Sequence, residues 1–94
     1  MSLNKLYFSK LKKDFMNEKQ PEVEDLGYSM ACGISLLEGK IHIAVRLQPL
    51  PGSPDPIEKD LLAKIKNEVL KDNYKGTPLD IQYIGMVYVH KDKQ

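Results

Sequence analysis

Cysteine occurs once in the 94 residues, at Cys32, so no internal disulfide can form. Small secreted domains ordinarily carry an even set of cysteines, and the expected address is therefore the cytoplasm. Long apolar runs are missing as well. Lys5, Lys10, Lys12 and Lys13 interrupt every candidate near the N-terminus, so neither a signal peptide nor a membrane span is expected. No excess of one charge exists: 14 Lys and Arg face 13 Asp and Glu, a net charge of +1. Counterion release needs clustered positive charge, so the total argues for neither nucleic acid nor an anionic membrane. Glycine-rich phosphate loops are absent, Gly33, Gly39 and Gly52 being isolated. So are a nucleophile elbow, carboxylates paired across an obvious cleft, internal repeats and low-complexity tracts.

What is present is the balance of an ordinary globular chain, 41% hydrophobic and 29% charged, expected to form one domain over residues 1–94. In residues 4–18 the apolar positions Leu6, Tyr7, Phe8, Leu11 and Phe15 recur at three- and four-residue spacing, which predicts a helix. Pro21 in an acidic stretch predicts a connector over 20–25. Residues 28–48 read as a β-hairpin. Tyr28, Met30, Cys32, Ile34 and Leu36 alternate with small residues, Glu38-Gly39 supplies the turn, and Ile41, Ile43, Val45 and Leu47 alternate with His42, Ala44, Arg46 and Gln48. Four prolines in residues 49–56 end the second strand. A helix over 56–72 follows, with Asp55 as cap, Pro56 in the first turn and Glu58 completing a capping box. Residues 78–90 read as a last strand, with Gly85 as a bulge or bend. The order α-β-β-α-β predicts an α+β fold: a three-stranded, mainly antiparallel sheet with helices packed against it, the first strand lying between the other two.

Candidate chemistry is sparse. Cys32 falls in phase with Met30 and Ile34, which predicts a buried, inert thiol. His42 and His90, even with Asp80 added, lack the close ligand spacing of a zinc site, so no metal and no cofactor is expected. His42 and Arg46 are four residues apart and point to the same face, opposite Ala31, Gly33 and Ser35. That face is either a solvated or helix-covered surface or a binding surface for a carboxylate, a phosphate or an acidic partner loop, with His42, Arg46, Ser35 and Gln48 as the candidate binding residues. Lysines at 5, 10, 12 and 13 with Tyr83 and Tyr88 permit weak nucleic-acid binding in principle, but Asp14 and Glu18 dilute the field. Pro51 and Pro54 have the PxxP spacing, which more often stiffens a connector.

Three segments carry a further signal. Residues 30–40 read MACGISLLEGK, a glycine-containing hairpin strand. Residues 41–51 read IHIAVRLQPLP, a hydrophobic strand followed by a proline-bearing loop. Residues 75–85 read KGTPLDIQYIG, a Gly-x-Pro strand ending in glycine. Together they resemble a small bacterial domain found beside trypsin-like serine proteases. The resemblance implies an α/β accessory or regulatory domain without catalysis of its own, and it carries over no functional residues. The chain departs from that pattern in the long charged helix between its strands.

No catalytic residue is assigned. The expected role is a non-enzymatic interaction or regulatory module working through an open sheet face or an exposed strand edge. Its expected partner is a second copy or another protein, because an open sheet has edges that must be covered, charged or used. The alternatives are a small anion-binding or catalytic domain using His42 and Arg46, and weak nucleic-acid binding by the first helix.

Overall fold

The computed structural model describes residues 2–85, with side chains from Leu6 onward. A long helix α1 (Ser2–Asp25) leads by a two-residue turn into β1 (Tyr28–Leu37), which pairs antiparallel with β2 (Lys40–Pro49). A short helix α2 (Lys59–Lys64) runs on into a single π-helical turn over Ile65–Val69. Two further strands follow, β3 (Asn73–Tyr74) and β4 (Thr77–Tyr83). The fold is α+β, and its mixed four-stranded sheet has the order β1-β2-β4-β3.

The β1–β2 hairpin forms as the alternation predicts. Glu38 and Gly39 take φ of 53° and 78°, the left-handed pair that a two-residue turn needs to follow strand twist. Three expectations about the sheet are corrected. It has four strands rather than three, it is mixed rather than mainly antiparallel, and β1 lies at its edge rather than in its middle. Ile43, Val45 and Leu47 are essentially inaccessible, whereas Cys32 and Ile34 are only partly buried and Leu36 is exposed. The fullest apolar row belongs in the centre, so β2 takes that place. It pairs in parallel with β4, Ile43 beside Leu79, Val45 beside Ile81 and Leu47 beside Tyr83. The additional strand exists because Tyr74 is buried against Phe15, ring centroids 5.1 Å apart and edge to face. Lys75 and Gly76, both at positive φ, then turn the chain into β4.

Both helices also differ from expectation. Helix α1 continues through Pro21 to Asp25 instead of ending at residue 18. Proline costs an intrahelical hydrogen bond, but the turn beyond it delivers Val23 to the core with no exposed surface, and that burial offsets the loss. The second helix was expected over 56–72 with Asp55 as its cap. Asp55 is instead engaged by the Tyr83 hydroxyl, and the helix starts at Lys59 after Glu58, which makes no side-chain cap. Beyond Lys64 the spacing widens, and Leu70 N–H donates to the Ile65 carbonyl at 2.8 Å. The extra residue per turn lets Val69 and Leu70 both face inward with Ile65, which a regular α-helix would not allow. Among the described residues the final strand runs from Thr77 to Tyr83. Ile84 N–H bonds the Leu47 carbonyl, and Gly85 takes a positive φ of 75°. The rest of the expected strand, including Val87, Tyr88, Val89 and His90, lies outside the described residues.

Helices α1 and α2 and the π turn share one core with the sheet. Leu11, Phe15 and Val23 from α1, Ile57 from the connector, and Ile65, Val69 and Leu70 from the second helical segment meet Tyr28, Met30, Ile43, Val45 and Leu47. Within each strand these residues alternate, and the register sets Met30 opposite Leu47, so they share one side and both helices lie on that face of the sheet. The proline-rich connector is pinned to the edge of this core. Leu50 N–H donates to the Gly27 carbonyl at 3.0 Å, Tyr28 Oη donates to the Pro54 carbonyl at 2.6 Å, and Tyr83 Oη donates to Asp55 Oδ1. The connector therefore folds as a turn, closed by Ser53 N–H to the Leu50 carbonyl, and is not an extended PxxP ligand.

Gly27 sits where this connector meets the α1–β1 turn. Its φ is 95°, and a Cβ there would lie 2.5 Å from Ser53 Oγ. Gly27→Ala is expected to lower stability by about 1–3 kcal/mol, read from urea midpoints; an unchanged midpoint refutes this packing. The Tyr83 hydroxyl is pushed from 10.0 up to about 12 by partial burial, and then by the hydrogen bond to Asp55 and its negative charge. Tyr28 and Tyr74 shift in the same direction, burial again being the largest cause. Between 10 and 12 the unfolded chain binds fewer protons than the folded one. The stabilisation from Tyr83 is thus complete below pH 10 and lost as pH rises through 12. Denaturant midpoints should fall across this alkaline range, and less steeply in Tyr83→Phe; a flat wild-type profile contradicts the assignment.

Candidate functional site

With both helices on one side, the other face of the sheet carries no covering element among the described residues. It displays Ser29, Ala31, Gly33, Ser35 and Leu37 from β1, Lys40, His42, Ala44, Arg46 and Gln48 from β2, and Asp80 and Gln82 from β4. None of these is buried. The four residues singled out from the sequence share this face, but they form no cluster. Ser35 stands opposite His42 near the hairpin turn, and Gln48 stands opposite Ser29 at the far end. At a rise of roughly 3.3 Å per residue, the His42 and Arg46 Cα atoms are about 13 Å apart, with Ala44 between them. A single small atom or ion does not bridge that span, so the pair flanks a surface rather than enclosing a reaction centre.

Between them lies a shallow depression of about 300 Å³ lined by Ala31, Cys32, Gly33, Ile34, Ala44 and Arg46. Its floor is where Gly33 pairs with Ala44 and Ala31 with Arg46. Smallness makes the hollow: three neighbouring positions on two paired strands have a methyl group or less. Arg46 is exposed beside it and has no ion-pair partner among the described residues. Gly33 is not required by the fold. Its φ lies outside the left-handed region, and an added Cβ would meet nothing within 4 Å. A glycine inside a strand weakens it, and one without an internal reason marks a place where an outside chain or ligand comes close.

Asp80 and Gln82 join this face beside Ala44 and Arg46 and were not among the expected site residues. Their alternation with Leu79, Ile81 and Tyr83 was visible in the sequence. What placed them here is the direct pairing of β4 with β2, which the expected strand order excluded.

The remaining candidates separate from this surface. Cys32 points to the helix-covered side, as its parity predicted, but is only half-buried because β1 is an edge strand. Burial pushes its thiol up, and the charge of Lys12 opposes that shift. On α1, Lys10 pairs with Asp14 at 3.2 Å and Lys19 with Glu18 at 3.8 Å, so these carboxylates neutralise part of the lysine face. Tyr83 is half-buried with its hydroxyl committed to Asp55, which removes it as a platform for a base. Tyr88 and His90 lie outside the described residues. Among the described residues, no three His, Cys, Asp or Glu side chains meet in a way that would hold a metal ion, and no helix is long and apolar enough to cross a membrane.

Compared with known proteins, the chain matches no family model, no curated protein and no solved structure.

Gly33→Ala is expected to raise stability by about 0.4–1 kcal/mol, because the strand conformation suits alanine and the unfolded chain loses freedom. Urea unfolding checks this, and a drop in the midpoint would show that the fold itself needs glycine there.

Proposed function

We propose that this chain is a non-enzymatic protein-interaction module that receives an extended, carboxylate-bearing segment of a partner on the open face of its sheet. One observation carries the reading: a face left bare by both helices holds a hollow floored by Gly33, which the fold does not need, beside Arg46, which pairs with nothing in the described chain. The glycine floor lets a partner backbone approach closely, and the guanidinium fork matches a carboxylate in a bidentate hydrogen bond. Charge favours the same partner. Among the described residues the polar face carries Lys40, His42 and Arg46 against a single carboxylate, Asp80, which stands beside Ala44 on β4. Separation of His42 from Arg46, and of both from the Cys32 thiol on the opposite side, speaks against nucleophilic or acid–base chemistry. An accessory role of the kind implied by the resemblance to the domain beside trypsin-like serine proteases fits this reading.

Amide shift mapping with a polyglutamate peptide tests it, with polylysine and inorganic phosphate as controls. The expected result is saturable shifts at Ala31, Gly33, Ala44 and Arg46 with polyglutamate alone. Arg46→Ala should weaken binding on the order of ten-fold or more, the value of a charge-assisted hydrogen bond. Equal response to phosphate would replace the reading with a small-anion site at Arg46. Absence of shifts with every probe would overturn it.

A further inference from the structure

Strand β1 leaves one edge of the sheet open among the described residues, on different atoms from the open face. Strand β1 is ten residues long, and its main chain pairs only with β2 among the described residues. Natural edge strands are blunted by shortness, charge, proline or a bulge. The sequence YSMACGISLL has no charge and no proline, and its ladder with β2 runs unbroken from Tyr28 to Leu37. Its far end also exposes Leu36 and Leu37, 64% and 44% accessible.

The hairpin geometry decides which backbone groups are free. A two-residue turn closes on a hydrogen-bonded pair, here Leu37 with Lys40, and bonded pairs then alternate along the ladder. Ser35, Gly33, Ala31 and Ser29 thus spend their N–H and C=O groups on β2. Tyr28, Met30, Cys32, Ile34 and Leu36 aim theirs outward.

We infer that β1 pairs antiparallel with β1 of a second copy, joining two four-stranded sheets into one continuous sheet across a two-fold axis. Outward groups occur at every second residue, so the two strands match only when the axis passes through an individual residue. Full overlap of a strand spanning 28–37 puts that residue at Cys32 or Gly33. With the axis at Gly33, Cys32 faces Ile34, Met30 faces Leu36, and Ser29 faces Leu37 of the other copy. With the axis at Cys32, the two cysteines face each other and Met30 faces Ile34. Neither register opposes like charges along the strand, both extend the ladder by about nine residue pairs, and both place the partner strand alongside Leu36. Both also bring the two Cys32 side chains onto the same side of the joined sheet, directly opposite or one diagonal step apart.

Sedimentation velocity from micromolar to millimolar concentration, with cross-linking by a short bismaleimide at the native Cys32, tests this pairing. The expected result is a species of twice 10.7 kDa that the reagent traps covalently. Two variants probe the edge. Gly33→Lys sets ammonium groups opposite or diagonal to each other, at a site where the isolated chain has open space for a side chain. Leu36→Pro removes an outward N–H at an exposed position. Both are expected to lose the dimer with native far-UV circular dichroism, while Arg46→Ala keeps it and Leu36→Pro keeps polyglutamate binding. A wild-type chain that stays at 10.7 kDa throughout, a dimer that Cys32 does not cross-link, or a dimer intact in both edge variants overturns the pairing.

Discussion

The contact between one row of side chains on β2 and the helices above it places every other element. Ile43, Val45 and Leu47 project to the same side of a strand that is hydrogen-bonded on both edges, and nothing of them reaches solvent. A row so completely apolar needs neighbours on either hand to widen the buried floor, and β1 and β4 provide them through Met30, Leu79 and Ile81. It also needs a roof. Helix α1 supplies one half through Leu11, Phe15 and Val23, and the second helical segment supplies the other through Ile65, Val69 and Leu70. The π turn is best understood in these terms: two consecutive residues, Val69 and Leu70, are both drawn to the same apolar floor, and the helix widens to deliver them.

Roofing only one side has a direct cost in symmetry. The helical material of this chain is spent on one face, and the residues on the other are accordingly small or polar. The two proposed binding surfaces come from the same asymmetry. Among the described residues no third layer covers the flat side, and the sheet ends at β1, where its apolar row thins out at Cys32, Ile34 and Leu36. Since one surface uses side chains perpendicular to the sheet and the other uses main-chain groups in its plane, occupation of one leaves the other geometrically available.

Much of this was readable from residue order. Strict alternation in residues 41–48 made β2 and its two faces evident, and with it the joint placement of His42, Arg46, Ser35 and Gln48 on the face away from Cys32. The missed features share a physical reason: each depends on a contact distant in sequence. Pro21 argues locally for a break, and only the burial of Val23 overrides it. Asp55 has every local quality of a helix cap, yet a tyrosine 28 residues away claims its carboxylate. Asn73-Tyr74 reads as a helix end until Phe15 packs on the ring. The parallel neighbour of β2 was missed because alternation reports which face a residue takes, not which strand lies beside it, and so Asp80 and Gln82 were left out of the site.

The parallel pairing also bears on how the chain reaches this state. Ile43 and Leu79 lie side by side but are 36 positions apart along the chain (79 minus 43), whereas α1, β1 and β2 are linked by turns of two residues each. The helix–hairpin contacts therefore carry the smaller loop-closure cost and the β2–β4 pairing the larger one. Until β4 docks, β2 presents a second open edge beside a hydrophobic floor only half roofed. A chain synthesised only as far as β2 carries that open edge until Thr77–Tyr83 has emerged to cover it.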